Sequence, residues 1–130
     1  LPLHPRTRKK LEESGFMDSL EIVPGLHLLE PISYVRFMSL VMNARLILTD
    51  SGGIQEETTY LGIPCFTLRP NTERPITVEQ GTNELCSLDT VVEKAVSAIH
   101  DGSRRNAGKP ELWDGKTAPR VVASMKRFLG

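Results

Sequence analysis

Short apolar runs alternate with longer amphipathic segments along the chain. The apolar runs predict strands over 26–29, 46–49, 64–68 and 84–86, and residues 1–4 have the pattern of the end of another strand. The run 46–49 is almost continuously apolar, which is typical of a strand that is covered on both faces of a parallel sheet. The segments between the runs have apolar residues at helical spacing, so they predict helices.

Capping residues mark the ends of the predicted helices. One helix is predicted over 6–14 with Gly15 as its stop, and another over 54–61 with Gly62 as its stop. Ser33 is the predicted cap of a third helix. The apolar face of this third helix follows the i, i+3, i+4, i+7 spacing and consists of Tyr34, Phe37, Met38 and Val41.

Two further helices are predicted near the end of the chain. Asp89 or Thr90 is the expected cap of the first, and Thr90 with Glu93 has the spacing of a capping box. A polar, glycine-containing segment predicts a loop over 101–116. Thr117 then precedes the last predicted helix, which has an apolar side.

The alternation of strands and helices predicts βαβ units with right-handed crossovers. The expected fold class is α/β, with a three-layer parallel sheet that has helices on both faces. A long polar loop is predicted over 69–81, after the strand 64–68. Open parallel sheets bind ligands beyond the carboxyl ends of their strands, so candidate chemistry is expected at those ends.

The composition fits one folded domain of ordinary size. The chain has 130 residues, and its 39% hydrophobic and 25% charged residues exclude a disordered protein. The formal net charge is zero, so neither a nucleic-acid partner nor a membrane-surface partner is expected. All apolar runs are much shorter than the roughly 18 residues that a membrane-spanning helix needs.

The two cysteines indicate a reducing compartment. Cys65 and Cys86 lie in apolar strand-like runs and have no CxxC or histidine-rich spacing, so no metal site is predicted. A disulfide between them is compatible with their number, but buried free thiols are the preferred interpretation. The expected location is therefore the cytoplasm.

A glycine-rich turn has the features of a phosphate site. Ser51, Gly52 and Gly53 join the strand 46–49 to a helix, whose first N–H groups lack partners and lie at the positive end of the helix dipole. Two glycines let a phosphate approach the backbone, and Ser51 adds a hydroxyl donor. Glu57 lies about one turn into the helix, within reach of a ribose. The same residues also fit a plain strand-to-helix turn followed by a solvated glutamate, so both interpretations stay open at this point.

Four motifs follow one another in a recognisable order. They are TDSGGIQEE at 49–57, LGIPC at 61–65, NTERP at 71–75 and EQGTN at 79–83, and a WDGKTA segment follows at 113–118. Together they closely resemble the motifs of the non-hydrolysing UDP-N-acetylglucosamine 2-epimerases. The resemblance covers nearly the whole chain.

This resemblance implies a two-domain enzyme of the glycosyltransferase-B type, with the substrate between two Rossmann-like domains. The family interconverts UDP-N-acetylglucosamine and UDP-N-acetylmannosamine by eliminating UDP and adding it back, and no cofactor is implied. The full-length protein is expected to be a cytoplasmic homodimer that serves polysaccharide biosynthesis. By position, Ser51, Gly52 and Gly53 are expected to contact the diphosphate, and Glu57 is expected to hold the ribose hydroxyls.

The resemblance assigns further roles outside the glycine turn. Phe37 is expected beside the uracil, and the backbone near Ile32 is expected to bind the edge of the base. Arg74 is expected to orient the sugar or the diphosphate. His4 is expected near a second, activating UDP-N-acetylglucosamine. Taken alone, these residues also fit a core phenylalanine, a surface arginine and a structural histidine.

The family's catalytic residues belong to the other domain, and no residue of this chain corresponds to them. The His-Arg-Arg-Glu segment that opens the family's second domain is also missing, and the chain starts without Met. We therefore expect residues 1–130 to be a truncated, UDP-binding C-terminal domain that is inactive alone. The alternatives are a hydrolysing UDP-N-acetylglucosamine 2-epimerase, a glycosyltransferase donor domain and a non-catalytic nucleotide-sugar-binding module.

Overall fold

A computed structural model describes residues 1–100 and 109–130 of the chain. The chain divides into two compact units, residues 1–40 and residues 41–130. The first half of the predicted loop 101–116 lies outside the described residues. Among the residues that are described, no helix is long and apolar enough to cross a membrane.

The first unit begins with helix α1 (Pro5–Glu13) and a short helix α2 (Met17–Glu21). Helix α1 confirms the helix predicted over 6–14, and Pro5 occupies its first turn, where the missing N–H is not needed. Gly15 follows with φ +72°, the left-handed conformation that commonly ends helices. Helix α2 was not predicted, because five residues are too few to show a helical apolar period.

The predictions of strands over 1–4 and 26–29 are wrong in extent. One parallel bridge joins Pro2 to Leu29, with a backbone hydrogen bond of 2.9 Å on either side of it. Prolines cannot donate to a strand ladder, and Pro2 and Pro31 both lie at this pairing. The pairing therefore stays a bridge and does not extend into two strands.

Helix α3 (Tyr34–Met42) confirms the third predicted helix. It begins directly after Ser33, whose carbonyl accepts the N–H of Phe37 at 2.9 Å. Val41 is buried and Phe37 is half-buried, whereas Tyr34 is exposed. The predicted apolar face of this helix is therefore only partly covered.

The second unit contains a three-stranded parallel sheet. Its strands are β1 (Ile47–Thr49), β2 (Cys65–Thr67) and β3 (Asn83–Leu85), in the order β1-β2-β3. These strands confirm the parallel sheet, and each lies within one or two residues of its predicted position. The register places Ile47 beside Cys65, which in turn lies beside Asn83.

Among the described residues of the second unit, four helices follow or connect these strands. They are α4 (Gly52–Leu61), α5 (Pro75–Glu79), α6 (Leu88–His100) and α7 (Thr117–Leu129). Helix α4 begins two residues before its predicted start, so both glycines belong to its first turn. Helix α5 lies within the loop predicted over 69–81, and its single turn is again too short to be detected from periodicity.

The predicted cap of α6 is wrong. The helix begins one residue after Ser87, whose carbonyl accepts the N–H of Val91 at 3.1 Å. The N–H of Ser87 in turn donates to the hydroxyl of Thr90 at 3.3 Å. Asp89 and Thr90 therefore belong to the first helical turn, and the capping pair joins Ser87 to Thr90 instead of Thr90 to Glu93.

The two faces of the sheet differ in chemistry, because successive side chains of a strand point to opposite faces. On the apolar face, Phe66 and Cys86 pack with Val91 of α6. On the polar face, Thr67 and Asn83 are completely buried. This second face is covered by α4, which contacts β2 and β3, and by α5, which contacts β3. Helices on both faces of the sheet are thus confirmed.

The WDGKTA segment forms the turn that precedes α7. The Asp114 carboxylate accepts the N–H of Lys116 at 2.9 Å and pairs with the Arg120 guanidinium at 2.9 and 3.0 Å. The hydrogen bond from Lys116, together with Arg120, holds the pKa of Asp114 below its usual value. Gly115 has φ +76°, so this motif shapes the turn.

Candidate functional site

The candidate site is centred on the turn between β1 and α4. Ser51 is the N-cap residue of α4 and has extended backbone, with φ −87° and ψ 132°. Its N–H donates to the hydroxyl of Thr49 at 3.0 Å, which fixes the turn at the end of β1. Its own side chain makes no capping hydrogen bond to α4. The exposed Ser51 hydroxyl is therefore not engaged by the first turn of the helix.

The two glycines of the turn have different surroundings. A Cβ atom at Gly53 would meet no heavy atom within 4 Å, and Gly53 is exposed. A Cβ atom at Gly52 would lie 2.5 Å from Oε1 of Glu73. Packing therefore does not require glycine at position 53, while Gly52 gives room to a carboxylate.

The Glu73 carboxylate brings negative charge to the start of α4. A hydrogen bond from its own backbone N–H, and the nearby charges of Arg69 and Arg74, hold the pKa of Glu73 below its usual value. Arg69 Nη1 donates to Oε2 of this carboxylate at 3.0 Å. An anion that binds against the backbone of Gly52 would lie in contact with the Glu73 carboxylate, and two negative charges in contact repel each other. Such an anion must therefore displace Glu73.

Arg74 contacts the same helix from the neighbouring loop. Its Nε lies 3.1 Å from Oε1 of Glu56, an ion pair that lacks hydrogen-bond geometry. Glu56 and the half-buried Glu57 lie on the second turn of α4. The structure thus brings Ser51, the two glycines, Glu57 and Arg74 to the first two turns of one helix, and their roles towards a nucleotide stay predictions.

The remaining predicted site residues lie in the first unit. Ile32 and Phe37 are half-buried, and His4 is exposed. Nδ1 of His4 accepts the N–H of Arg6 at 3.2 Å, so His4 is the N-cap of α1 and its Nε2 is left as the donor. The roles of these three residues towards a nucleotide stay predictions.

A layer of buried polar side chains beneath α4 was not predicted. Gln55, Thr77 and Asn83 are completely buried, and hydrogen bonds connect them with Thr72. Each of these residues lies inside or next to a motif quoted above. This position is the one feature of the sequence that points to them. A buried polar residue has no periodicity of its own, so the hydrogen bonds between the motifs were not foreseen.

A surface depression of about 530 Å³ lies at the carboxyl ends of β2 and β3. Its lining combines apolar and polar residues, namely Leu68, Arg69, Pro70, Leu85, Cys86, Ser87 and Leu88. It lies at the same edge of the sheet as the α4 turn, because all three strands are parallel. Parallel α/β sheets commonly bind ligands at this edge.

Cys65 and Cys86 are both buried and free, which confirms the preference for free thiols. Burial raises the pKa of the Cys65 thiol, although hydrogen bonds with Thr58 and Thr67 act in the opposite direction. Within 1–100 and 109–130, no three His, Cys, Asp or Glu side chains are grouped as metal ligands.

The chain matches one protein family over nearly its whole length. The sequence model of the UDP-N-acetylglucosamine 2-epimerase family matches residues 1–126. The UDP-N-acetylglucosamine 2-epimerase of Methanococcus maripaludis is 50% identical over 126 residues, which cover 93% of this chain and 33% of the relative. The enzyme of the same name from Methanocaldococcus jannaschii is 44% identical over 122 residues, which cover 92% of this chain and 32% of the relative.

A solved structure gives the same result. It is the Methanocaldococcus jannaschii enzyme in complex with UDP-GlcNAc and UDP, and it matches with a TM-score of 0.79 at 42% identity, over 97% of this chain and 34% of that chain. The predicted fold, a parallel α/β unit of the glycosyltransferase-B type, is confirmed. The chain spans about a third of the length of the curated relatives it matches. It belongs to the UDP-N-acetylglucosamine 2-epimerase family.

Proposed function

We propose that this chain binds UDP at the start of α4, as the UDP-binding part of an enzyme that interconverts UDP-N-acetylglucosamine and UDP-N-acetylmannosamine. The observation that carries the proposal is the bare backbone at Gly53, which is exposed although packing would admit a side chain. Glycine inside a helix is less stable than alanine by about 0.5–1 kcal/mol. A phosphate that must approach the backbone is a physical reason to keep it.

The diphosphate is assigned to Ser51, Gly52 and Gly53. The N–H groups of the first helical turn have no intrahelical acceptors, and the helix dipole adds positive charge there. The Ser51 hydroxyl adds a donor, and Glu57 accepts hydrogen bonds from the ribose hydroxyls. When UDP leaves the sugar, negative charge grows on the diphosphate, so the same donors stabilise the leaving group. Arg74 adds a positive charge from the second turn of α4, where it pairs with Glu56.

The proposal extends to the first unit and to a second domain. Uracil lies beside Phe37, and the backbone near Ile32 binds its edge. His4 contributes to a regulatory UDP-N-acetylglucosamine site, which its Nε2 donor supports. The acid and base of the reaction come from another domain of a homodimeric protein, and the two free thiols support a cytoplasmic location.

A titration of UDP tests the ribose assignment. Glu57→Gln removes one acceptor charge from α4, and we expect the Kd for UDP to rise about tenfold, as for the loss of one charge-assisted hydrogen bond. Glu93→Gln is the matched control, because Glu93 is an exposed glutamate of α6. Isothermal titration calorimetry measures both. An equal Kd for the two variants would refute the ribose role of Glu57.

The chain on its own should bind without catalysing epimerisation. Inversion at C2 of the sugar needs a base and an acid at that carbon, and the proposal assigns both to the other domain. Proton NMR of UDP-N-acetylglucosamine in D₂O, with the purified chain present, detects any exchange of the C2 proton. Measurable exchange of the C2 proton by this chain alone would contradict the assignment of the acid and the base to the other domain.

A further inference from the structure

Beneath the first turns of α4 lies a closed loop of hydrogen bonds that the proposed UDP contacts leave unused. The Thr72 hydroxyl donates to Oε1 of Gln55 at 2.6 Å, and Nδ2 of Asn83 donates to the same oxygen at 3.0 Å. Nδ2 of Asn83 also donates to the hydroxyl of Thr77 at 3.1 Å. The loop then closes through the backbone of Arg74.

Both polar backbone groups of Arg74 belong to this loop. Its N–H donates to the Thr72 hydroxyl at 3.0 Å, and its carbonyl accepts the Thr77 hydroxyl at 2.7 Å. Arg74 precedes Pro75, which disfavours helical backbone at Arg74, and its angles are φ −124° and ψ 58°. As the N-cap of α5, Arg74 also accepts the N–H of Thr77 at its carbonyl, at 3.0 Å, so the threonine hydroxyls add to this backbone bond and supply the Arg74 N–H with its acceptor.

The same loop is tied to the glycine turn. Nε2 of Gln55 donates to the carbonyl of Ser51 at 3.3 Å. The carboxamide of Gln55 thus connects the N-cap of α4 with Thr72, and through Thr72 with Arg74. A buried amide that loses a partner is destabilised by about 1–3 kcal/mol, so these connections resist rearrangement.

We propose that Gln55, Thr72, Thr77 and Asn83 form a positioning ring that holds Arg74 beside the diphosphate of the bound nucleotide. The inference rests on the proposed UDP site and deepens it. The four side chains act through Arg74, without contact with the nucleotide. The ring, in which Gln55, Thr77 and Asn83 are completely buried, fixes the backbone of Arg74, so the guanidinium starts from a defined position on the second turn of α4.

The matched variants are Thr72→Val and Thr58→Val. Thr72→Val keeps the side-chain shape and removes the donor to Gln55 and the acceptor for the Arg74 N–H. Thr58 is completely buried in α4, but its hydroxyl donates to the backbone carbonyls of Ile54 and Gln55 and not to a side chain of the ring. Thr58→Val therefore reports the loss of one buried hydroxyl without damage to the ring.

UDP affinity gives the first readout. Calorimetry is expected to show a Kd for UDP about tenfold higher for Thr72→Val and less than twofold higher for Thr58→Val, with far-UV circular dichroism checking that both are folded. In an Arg74→Ala background, Thr72→Val should have less than a twofold effect, because residues that act through one another are not additive. The proposal is overturned if Thr72→Val changes the Kd for UDP no more than Thr58→Val does. It is also overturned if the effect of Thr72→Val on the Kd persists in the Arg74→Ala background.

A second readout does not depend on nucleotide. Amide hydrogen exchange of the Arg74 N–H, followed by NMR, should become at least tenfold faster in Thr72→Val and stay unchanged in Thr58→Val. An unchanged rate in Thr72→Val overturns the inference whatever UDP does. If the wild-type chain fails to bind UDP while this exchange rate responds as expected, the proposed function is wrong. The ring then still holds the backbone of Arg74 but has no role towards a nucleotide.

Discussion

The two faces of the sheet hold their helices by different means. On the apolar face, α6 packs mainly through Phe66, Cys86 and Val91, and one partly exposed ion pair joins Lys94 of α6 to Glu84 at 2.6 Å. On the polar face, directional hydrogen bonds join Asn83 to Gln55 and to Thr77. Apolar packing tolerates changes of shape and angle, whereas a buried hydrogen-bond network accepts one arrangement. The candidate site lies at the start of α4, which covers the polar face, so it belongs to the face that has the more fixed arrangement.

The largest expected difference between the faces concerns stability. Asn83→Leu keeps the number and branching of the side-chain heavy atoms but removes the partners of Thr67, Gln55 and Thr77, and we expect the free energy of unfolding to fall by about 3 kcal/mol or more. Phe66→Leu on the apolar face leaves every hydrogen bond in place and should lower it by about 1–1.5 kcal/mol. Urea denaturation of both variants measures the difference. Equal losses would show that the polar face is not held by its network.

A smaller effect is expected at the start of α4, the helix that covers the polar face. Glu73→Gln removes the negative charge that lies beside Gly52, and we expect the affinity for UDP to rise about threefold to tenfold at low salt. Glu79→Gln is the control, because Glu79 is an exposed carboxylate at the end of α5. Calorimetric titrations at two salt concentrations separate the variants. Weaker binding by Glu73→Gln would mean that its charge assists the nucleotide.

The sequence predicted the apolar face better than the polar face. The runs around β1 and β2 are local and almost wholly apolar, so hydrophobicity alone located them. The glycine turn was also recognisable, because its chemistry is contained within consecutive residues from Ser51 to Gly53. Helices α2 and α5 were missed because a single helical turn leaves no periodic signal.

The hydrogen bonds of the polar face could not be predicted from the sequence, for a different reason. Its members come from α4, from the following loop, from α5 and from β3, so only the fold brings them together. Threonine, glutamine and asparagine are usually exposed, and nothing local marks Gln55 or Asn83 as completely buried. The resemblance to the epimerase family drew attention to the right segments without indicating which of their side chains face inwards.

The most direct test of the central claim is a UDP titration of Gly53→Ala. A methyl group at this position meets no heavy atom within 4 Å, so the fold accepts it, and alanine should raise helix stability by about 0.5 kcal/mol. If the diphosphate binds against this backbone, the same methyl group blocks it, and the Kd for UDP should rise at least tenfold while thermal stability is kept or raised. Unchanged UDP affinity in this stable variant would contradict the assignment of the nucleotide to the start of α4.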